Sequence, residues 1–170
     1  MIHYSNWHLP YEVNPAYQQR TAYFCMEFGV HQALKIYSGG LGYLAGSHMR
    51  SAYELKQNLF GIGILWRYGY YDQVRDDHNY MAVQFQKKLY TFLQQTDIQF
   101  TMQIDGKDVI VKVFYLAPEV FGSAPLFLLS TDFPENEEYA REYTHRLYDR
   151  NHEIRIAQNM LLGIGGAKVV

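Results

Sequence analysis

The segment AYFCMEFGVHQALKIYSGGLGYLAG, residues 22–46, has three glycines within four positions between two apolar stretches. It opens with a short apolar and aromatic run that is typical of a buried strand, which we place at residues 21–27. Apolar residues spaced three and four apart then predict a helix over residues 41–57. A second apolar run, with GIGIL at its centre, predicts a strand over residues 59–66. This order of strand, glycine-rich loop, helix and strand predicts a βαβ unit with a right-handed crossover.

The rest of the chain adds shorter strands and two helices, after an irregular start. Aspartate followed by glycine at residues 105–106 predicts a tight hairpin turn. Acidic residues clustered at its start favour a helix over residues 135–149, and an apolar pattern favours another over residues 154–170, although glycines weaken that pattern. Further strands are predicted at residues 70–74, 100–104, 109–116 and 125–130. Together these elements predict an α/β fold with an inserted antiparallel β segment.

Length and composition restrict the class of protein. A chain of 170 residues can form one domain with a substantial core, and its net charge of −2 argues against a nucleic-acid surface. The single cysteine, Cys25, cannot form an internal disulfide, which favours a reducing compartment. The first 15 residues lack the pattern of a signal peptide, and no apolar run approaches membrane-spanning length. We expect a cytoplasmic protein, and the apolar pattern that stops at Val170 leads us to expect a fragment.

The segment Ser38-Gly39-Gly40-Leu41-Gly42, here called the glycine loop, allows two interpretations. Glycine lets the backbone approach a ligand closely, and amides at the start of a helix attract anions. A tight turn from strand to helix would use the same residues without any ligand. The spacing matches neither the dinucleotide-binding pattern nor the P-loop pattern. The residues alone therefore leave an anion site and a plain turn as alternatives.

Other chemically active residues point to no site of their own. The chain has seven histidines, but none stands at the spacing of a metal-binding motif, so we expect no metal site. Cys25 lies in a predicted buried strand and is expected to be a core residue. Tyr68, Tyr70 and Tyr71 could stack on sugar rings, although packing around a strand is the simpler explanation.

Five separated motifs resemble the N-terminal region of the α-glucan phosphorylases, the glycogen and maltodextrin phosphorylases, in their compact bacterial and archaeal form. The motifs are AYFCMEFG, IYSGGLGYLAG, GIGILWRYGYYDQ, PLFLLSTDFPEN and RIAQNMLLGIGGAKVV. They occur in the family's order across residues 20–170, and several motifs in order are far more specific than one glycine-rich loop.

The resemblance implies two Rossmann-like domains that face each other across a cleft, the GT-B architecture, with residues 1–170 as the N-terminal portion of the first domain. Such enzymes transfer a terminal glucosyl unit from an α-1,4-glucan to inorganic phosphate, giving glucose 1-phosphate. The resemblance also implies pyridoxal phosphate, held by a lysine outside this chain, and a homodimer. We therefore expect the chain alone to be inactive, and we assign no catalytic residue within it.

The resemblance also implies which residues meet the substrates. Gly39, Gly40 and Leu41 would offer backbone amides to phosphate and to sugar hydroxyls. Gly42 belongs to the same loop, and Leu44, one helical turn further on, would line the pocket.

Three more positions are compared with the family's pattern. Ser38 stands where longer phosphorylases carry Asn, and Tyr43 stands where they carry Arg. Glu27, at the end of the first predicted strand, matches a glutamate near the catalytic site. Because α/β folds place ligand-binding groups at the carboxyl ends of strands, Glu27 would either bind a sugar hydroxyl or hold the glycine loop, and both roles stay open.

Two other functions remain as alternatives. A nucleotide-sugar glucosyltransferase of the glycogen or starch synthase type has the same architecture and a similar loop. Those enzymes usually carry a lysine two residues before the glycine pair, where this chain has Tyr37. A non-catalytic glucan-binding module is the second alternative, and it predicts maltodextrin binding that needs neither cofactor nor phosphate.

Overall fold

The computed structural model describes residues 7–170. Besides a short 3-10 helix at Pro15–Tyr17, this part of the chain contains seven strands and four α-helices. The strands are β1 Thr21–Phe24, β2 Leu59–Ile64, β3 Asp72–Arg75, β4 Met81–Gln84, β5 Gln94–Ile104, β6 Lys107–Leu116 and β7 Leu126–Ser130. The helices are α1 Gly40–Glu54, α2 Pro118–Phe121, α3 Glu138–Glu142 and α4 His152–Met160.

The strands form a mixed sheet and a separate hairpin. The five-stranded sheet has the order β1-β2-β7-β6-β5, in which β1, β2 and β7 run parallel while β6 and β5 run antiparallel to their neighbours. Within the described part of the chain, strands β3 and β4 pair with each other alone, antiparallel. The predicted α/β fold with an antiparallel β segment is therefore confirmed, and so is the βαβ order of β1, α1 and β2.

The core lies around the two central parallel strands. Every residue of β2 and of β7 is buried, as expected for parallel strands with neighbours on both sides. The glycines of β2 make room for larger side chains, since a Cβ on Gly61 would lie 2.4 Å from Leu126 and one on Gly63 would lie 3.0 Å from Phe28. The GIGIL run thus serves tight packing inside the domain.

The last predicted helix is present in spite of its glycines. Asn151 caps helix α4, since its side chain accepts a hydrogen bond from the Glu153 amide, and the helix continues through a π-helical turn at Leu161–Gly165. Gly166 packs so closely that a Cβ there would lie 2.5 Å from the Phe24 ring. The glycines therefore allow the end of this helix to lie against β1 and β2.

The hairpin turn between β5 and β6 is also confirmed. Asp105 and Gly106 have φ values of 51° and 69°, as a two-residue turn between twisted strands requires.

Two predictions were wrong in extent. The predicted helix over residues 135–149 is helical only at Glu138–Glu142. Beyond it the chain bonds to the segment after β2 instead, with Thr144 O accepting from the Arg67 amide and His145 O accepting from the Tyr68 amide, both at 2.9 Å. The first strand ends at Phe24 and not at residue 27, because the chain bends so that the Phe28 amide reaches Ile36 O at 3.2 Å.

Some elements escaped prediction. Strand β4, helix α2 and the polar first half of β5 were not foreseen, and the strand predicted at residues 70–74 begins at Asp72. Within residues 7–170, no helix is both long enough and apolar enough to cross a lipid bilayer.

Candidate functional site

The glycine loop lies at the carboxyl edge of the parallel strands. Because β1, β2 and β7 are parallel, their carboxyl ends meet at one edge of the sheet, which is where α/β folds bind ligands. Glu27 follows β1, Arg67 follows β2 and Asp132 follows β7. The sheet therefore gathers three charged residues, from distant parts of the sequence, along the edge where the glycine loop begins α1.

Glu27 holds the glycine loop. Its side chain is buried, with 2% of the residue exposed. Its Oε2 accepts hydrogen bonds from the Ser38 amide at 2.7 Å and from the Gly39 amide at 3.3 Å, and the Ser38 hydroxyl donates to the same oxygen at 3.2 Å. Two roles were considered for Glu27. Holding the glycine loop is the one that these contacts show directly.

A second residue approaches Glu27 from the opposite end of the sequence. The Tyr148 hydroxyl donates to Glu27 Oε1 at 2.5 Å, across 121 residues of chain. Burial, followed by the hydrogen bond to Glu27 and that group's charge, raises the pKa of Tyr148 well above its ordinary value, so the phenol remains a donor at neutral pH. No local sequence pattern indicates this contact, because it depends on the long-range path of the chain.

Tyr148 has an unusual backbone. Its φ of 58° places a bulky side chain in the left-handed region, which costs roughly 1–2 kcal/mol for a residue other than glycine. Such a conformation persists only where the surrounding structure determines it.

The glycines of the loop divide into two kinds. A Cβ on Gly42 would lie 2.5 Å from the Tyr37 Cβ and 2.8 Å from Glu27 Oε2, so packing requires glycine there. Among residues 7–170, a Cβ on Gly39 or on Gly40 would meet no atom within 4 Å, and neither residue has a positive φ. Packing therefore requires glycine at position 42, whereas it does not require glycine at positions 39 and 40.

Helix α1 is fixed to the β1 side of the domain by close backbone contact. The Gly29 amide donates to Gly42 O at 2.8 Å, and a Cβ on Gly46 would lie only 2.1 Å from Gly29 O. Gly42 and Gly46 are one helical turn apart, so together they let the first turns of α1 touch the segment after β1. This contact sets where the start of the helix points.

The first turn of α1 presents unbonded amides. Gly39 is the N-cap residue, no side chain of residues 7–170 caps the helix, and the Gly39 carbonyl accepts from the Tyr43 amide at 3.1 Å. Amides in the first turn of a helix have no partner inside the helix. Those of Gly40 and Leu41 lie at exposed residues, so the positive end of the helix dipole faces solvent there.

The apolar residues carried over from the resemblance lie on the outer side of the same helix. Leu41 is 51% exposed and Leu44 is 65% exposed. Their side chains are not part of the core and are available for contact with a ligand or with another protein surface.

A cluster of charged side chains joins the ends of β2 and β7. Asp132 accepts from Arg67 Nη1 at 2.9 Å and from Arg141 Nη2 at 3.0 Å, and His145 Nε2 lies 3.4 Å away. Burial opposes ionisation of Asp132, but hydrogen bonds from Arg141 and His145 and the charge of Arg67 outweigh it and lower its pKa. Burial, which outweighs the neighbouring Asp132, lowers the pKa of His145.

Two cavities lie beside these residues. One, of about 370 Å³, is bounded by Arg67, Arg141 and His145. The other, here called the aromatic cavity, has a volume of about 450 Å³. Its walls include Tyr70, Tyr71, Val83, Phe85, Arg146 and Tyr148. Tyr148 therefore connects the aromatic cavity to Glu27 and the glycine loop.

Other groups considered in the sequence lack the setting of a reactive site. Cys25 is buried, and burial is the main cause that raises the pKa of its thiol, which disfavours a nucleophilic thiolate. Within residues 7–170, no group of three or more His, Cys, Asp or Glu side chains is arranged to hold a metal ion.

Comparison with known proteins gives relatives that match most of this chain. The chain is 51% identical over 150 residues to an uncharacterized protein of Methanocaldococcus jannaschii, which covers 88% of the chain and 29% of that protein. It is 38% identical over 160 residues to a glycogen phosphorylase of Mycobacterium tuberculosis, covering 88% of the chain and 18% of that protein. It is 33% identical over 164 residues to a maltodextrin phosphorylase of Thermococcus litoralis, covering 92% of the chain and 19% of that protein.

The similarity to these relatives covers only a small part of their length. No family model matches the chain. The chain spans less than a third of the length of the Methanocaldococcus protein and about a fifth of the length of the two phosphorylases. This chain is therefore similar to one stretch of proteins that are named glycogen or maltodextrin phosphorylase.

Proposed function

We propose that this chain forms the N-terminal portion of the N-terminal domain of an α-1,4-glucan phosphorylase, and that the glycine loop binds phosphate there. One observation carries the proposal: within residues 7–170, Gly39 and Gly40 have open space where a Cβ would be, so packing does not require glycine there. A glycine pair that packing does not require is explained by close approach of a ligand to the backbone. The phosphorylases among the relatives support this choice of ligand.

The loop residues have separate roles in this proposal. The amides of Gly40 and Leu41, at the positive end of α1, donate to phosphate oxygens. The Gly39 amide already donates to Glu27, so Gly39 contributes chiefly by its missing side chain. Ser38 joins Glu27 to the loop through its amide and its hydroxyl.

Two residues further along α1 have a different role in this proposal. Gly42 allows the close contact of α1 with Glu27 and Tyr37, and Leu44 adds an apolar wall one turn beyond the amides. In this proposal the start of the helix offers an apolar surface at Leu44 and hydrogen-bond donors at its exposed amides.

The proposed reaction is transfer of a glucosyl unit. The bond between C1 of the terminal glucosyl unit and the oxygen of the next sugar breaks, and a bond forms between C1 and a phosphate oxygen. The proton that phosphate loses is delivered to the departing glucan oxygen. The glycine loop orients the phosphate and stabilises its charge. Its preorganised amides supply this electrostatic assistance.

Pyridoxal phosphate is part of this proposal for the whole protein. The space beside Gly39 and Gly40, and the free amides that follow, suit a second phosphate group near the substrate phosphate. When bound, the cofactor's phosphate would supply the group that exchanges a proton with substrate phosphate. This chain would contribute backbone donors and shape, because the lysine that holds the cofactor is expected outside it.

The wider architecture belongs to the same proposal. A second Rossmann-like domain would face this one across the carboxyl edge of the sheet, as in the GT-B architecture. A homodimer and a cytoplasmic location remain predictions from the resemblance and from the single cysteine.

The experiment that tests the function is an assay of the protein at the full length encoded by its gene. Maltodextrin and inorganic phosphate should give glucose 1-phosphate, at a rate that depends on both substrates. Glucosyl transfer from ADP-glucose or UDP-glucose, without phosphorolysis, would favour a synthase-type enzyme instead. Saturable maltodextrin binding that is independent of phosphate, without either activity, would favour a glucan-binding module.

A further inference from the structure

The carboxylate of Glu27 is shared between two parts of the chain. Oε2 faces the glycine loop and accepts the amides of Ser38 and Gly39. Oε1 accepts the Tyr148 hydroxyl at 2.5 Å and lies 3.4 Å from the Ser38 hydroxyl. The orientation of the carboxylate, and with it the position of the loop amides, therefore depends on a donor on each side.

The two residues before Tyr148 are bonded to other parts of the fold. The Leu147 amide donates to Gly69 O at 3.0 Å, and Arg146 O accepts from Gln158 Nε2 at 2.9 Å. These contacts join the turn before α4 to the segment after β2 and to α4 itself. The phenol is thus presented to Glu27 by a turn that is anchored at two points.

The backbone conformation of Tyr148 helps to distinguish a role of this residue in folding from a role of its side chain. At a φ of 58°, glycine or asparagine would relieve the strain that tyrosine has there. A fold that needed only the turn would be served better by those residues. Strain that is kept at such a position points to a function of the side chain.

We infer that Tyr148 is a positioning residue, which acts through Glu27 to hold the glycine loop in the conformation that presents its free amides. The hydroxyl fixes Oε1, Oε2 fixes the amides of Ser38 and Gly39, and these fix the start of α1. The consequence for phosphate binding rests on the proposed function, whereas the consequence for the loop does not.

The test uses the full-length protein with Tyr148→Phe, Tyr148→Asn and a matched control, Tyr11→Phe. Tyr11 also donates one hydrogen bond through its hydroxyl, to Gln57 O at 2.9 Å, at the opposite end of α1. Hydrogen exchange of the Ser38 and Gly39 amides is measured together with global unfolding and with the KM values for phosphate and maltodextrin.

Both Tyr148 variants should speed exchange of the two amides by about tenfold, the effect of losing a hydrogen bond to a charged group. The Asn variant should do so although its backbone suits the turn better and global stability is retained. The control should leave exchange at Ser38 and Gly39 unchanged. In the variants, KM for phosphate should rise and KM for maltodextrin should stay the same.

The outcomes separate this inference from the proposed function. Unchanged exchange at Ser38 and Gly39 in the Tyr148 variants overturns the inference, and so does equal acceleration in the Tyr11 control. Faster exchange confined to the Tyr148 variants, in a protein without phosphorolysis, supports the positioning role and counts against the proposed function. Faster exchange with an unchanged KM for phosphate overturns the link between the loop and substrate.

Discussion

At the scale of single residues, the two kinds of glycine in the loop should respond differently to alanine. Gly42→Ala places a methyl group against Tyr37 and Glu27, so we expect the free energy of unfolding to fall by roughly 1–3 kcal/mol, the usual cost of overpacking. Gly40→Ala adds a methyl group in open space at the first position of α1. There we expect unchanged stability or a gain of up to about 1 kcal/mol.

Urea unfolding of the two variants beside the wild-type protein measures this difference. Equal losses of stability in both variants would contradict the division of the loop into a packed glycine and an open pair.

The role of a single residue could be predicted from the sequence where that role depends on neighbouring residues in the chain. The glycine run between a strand and a helix could be recognised because both neighbours have clear local patterns. Its attachment could not be foreseen in full, since Glu27 was a candidate with two open roles and Tyr148 was not a candidate at all. The Tyr148 contact requires the turn before α4 to return to the edge of β1, which no local pattern encodes.

At the scale of elements, the turn between β5 and β6 offers a test of backbone geometry. Gly106 has a φ of 69°, so Gly106→Ala should lower the free energy of unfolding by about 1–2 kcal/mol. Gly163→Ala is the control, because Gly163 is exposed, lies within the last helix and has open space for a Cβ. Thermal unfolding of both variants measures the difference, and a loss of stability at Gly163 equal to that at Gly106 would contradict it.

The charged cluster at the ends of β2 and β7 gives a prediction that depends on pH. Asp132→Asn leaves Arg67 and Arg141 without their shared carboxylate, so at neutral pH we expect a loss of about 1–3 kcal/mol in the free energy of unfolding. Because folding lowers the pKa of Asp132, its contribution is complete above the unfolded value near 3.8 and disappears as pH falls through the folded value.

The difference between wild type and Asp132→Asn should therefore be constant above about pH 5 and should shrink below about pH 4. Denaturant unfolding at several pH values measures it, with Asp77→Asn at an exposed turn as the control. A difference that persists at the lowest pH would mean that the charge of Asp132 is not what stabilises the cluster.

Elements were predictable where a local pattern matched the final environment. Strands β2 and β7 are continuous apolar runs because neighbours cover them on both sides, so composition indicated them correctly. The helix predicted over residues 135–149 failed because long-range hydrogen bonds to residues 67–69 replace helical ones after Glu142. The first half of β5 is polar, and only its pairing with β6 makes it a strand.

At the scale of the whole molecule, the sheet places the residues discussed above along one edge. The carboxyl ends of β1, β2 and β7 collect Glu27, Arg67 and Asp132, and the glycine loop starts α1 beside them. The outer face of α1 carries exposed Leu41, Tyr43 and Leu44, which suit a surface facing a ligand or a further domain. The phosphate site that we propose at this edge of the sheet would use all of these features.

A phosphate site at the glycine loop can be tested by the KM for inorganic phosphate of the full-length protein carrying Gly40→Ala, compared with Gly163→Ala. A methyl group at Gly40 meets no atom of residues 7–170 within 4 Å, so it is free to obstruct a ligand that approaches the loop backbone. We predict a rise in KM for phosphate of about tenfold or more, corresponding to about 1.4 kcal/mol, with no loss of stability and an unchanged KM for maltodextrin. Equal KM values for phosphate in the two variants would contradict a phosphate site at the glycine loop.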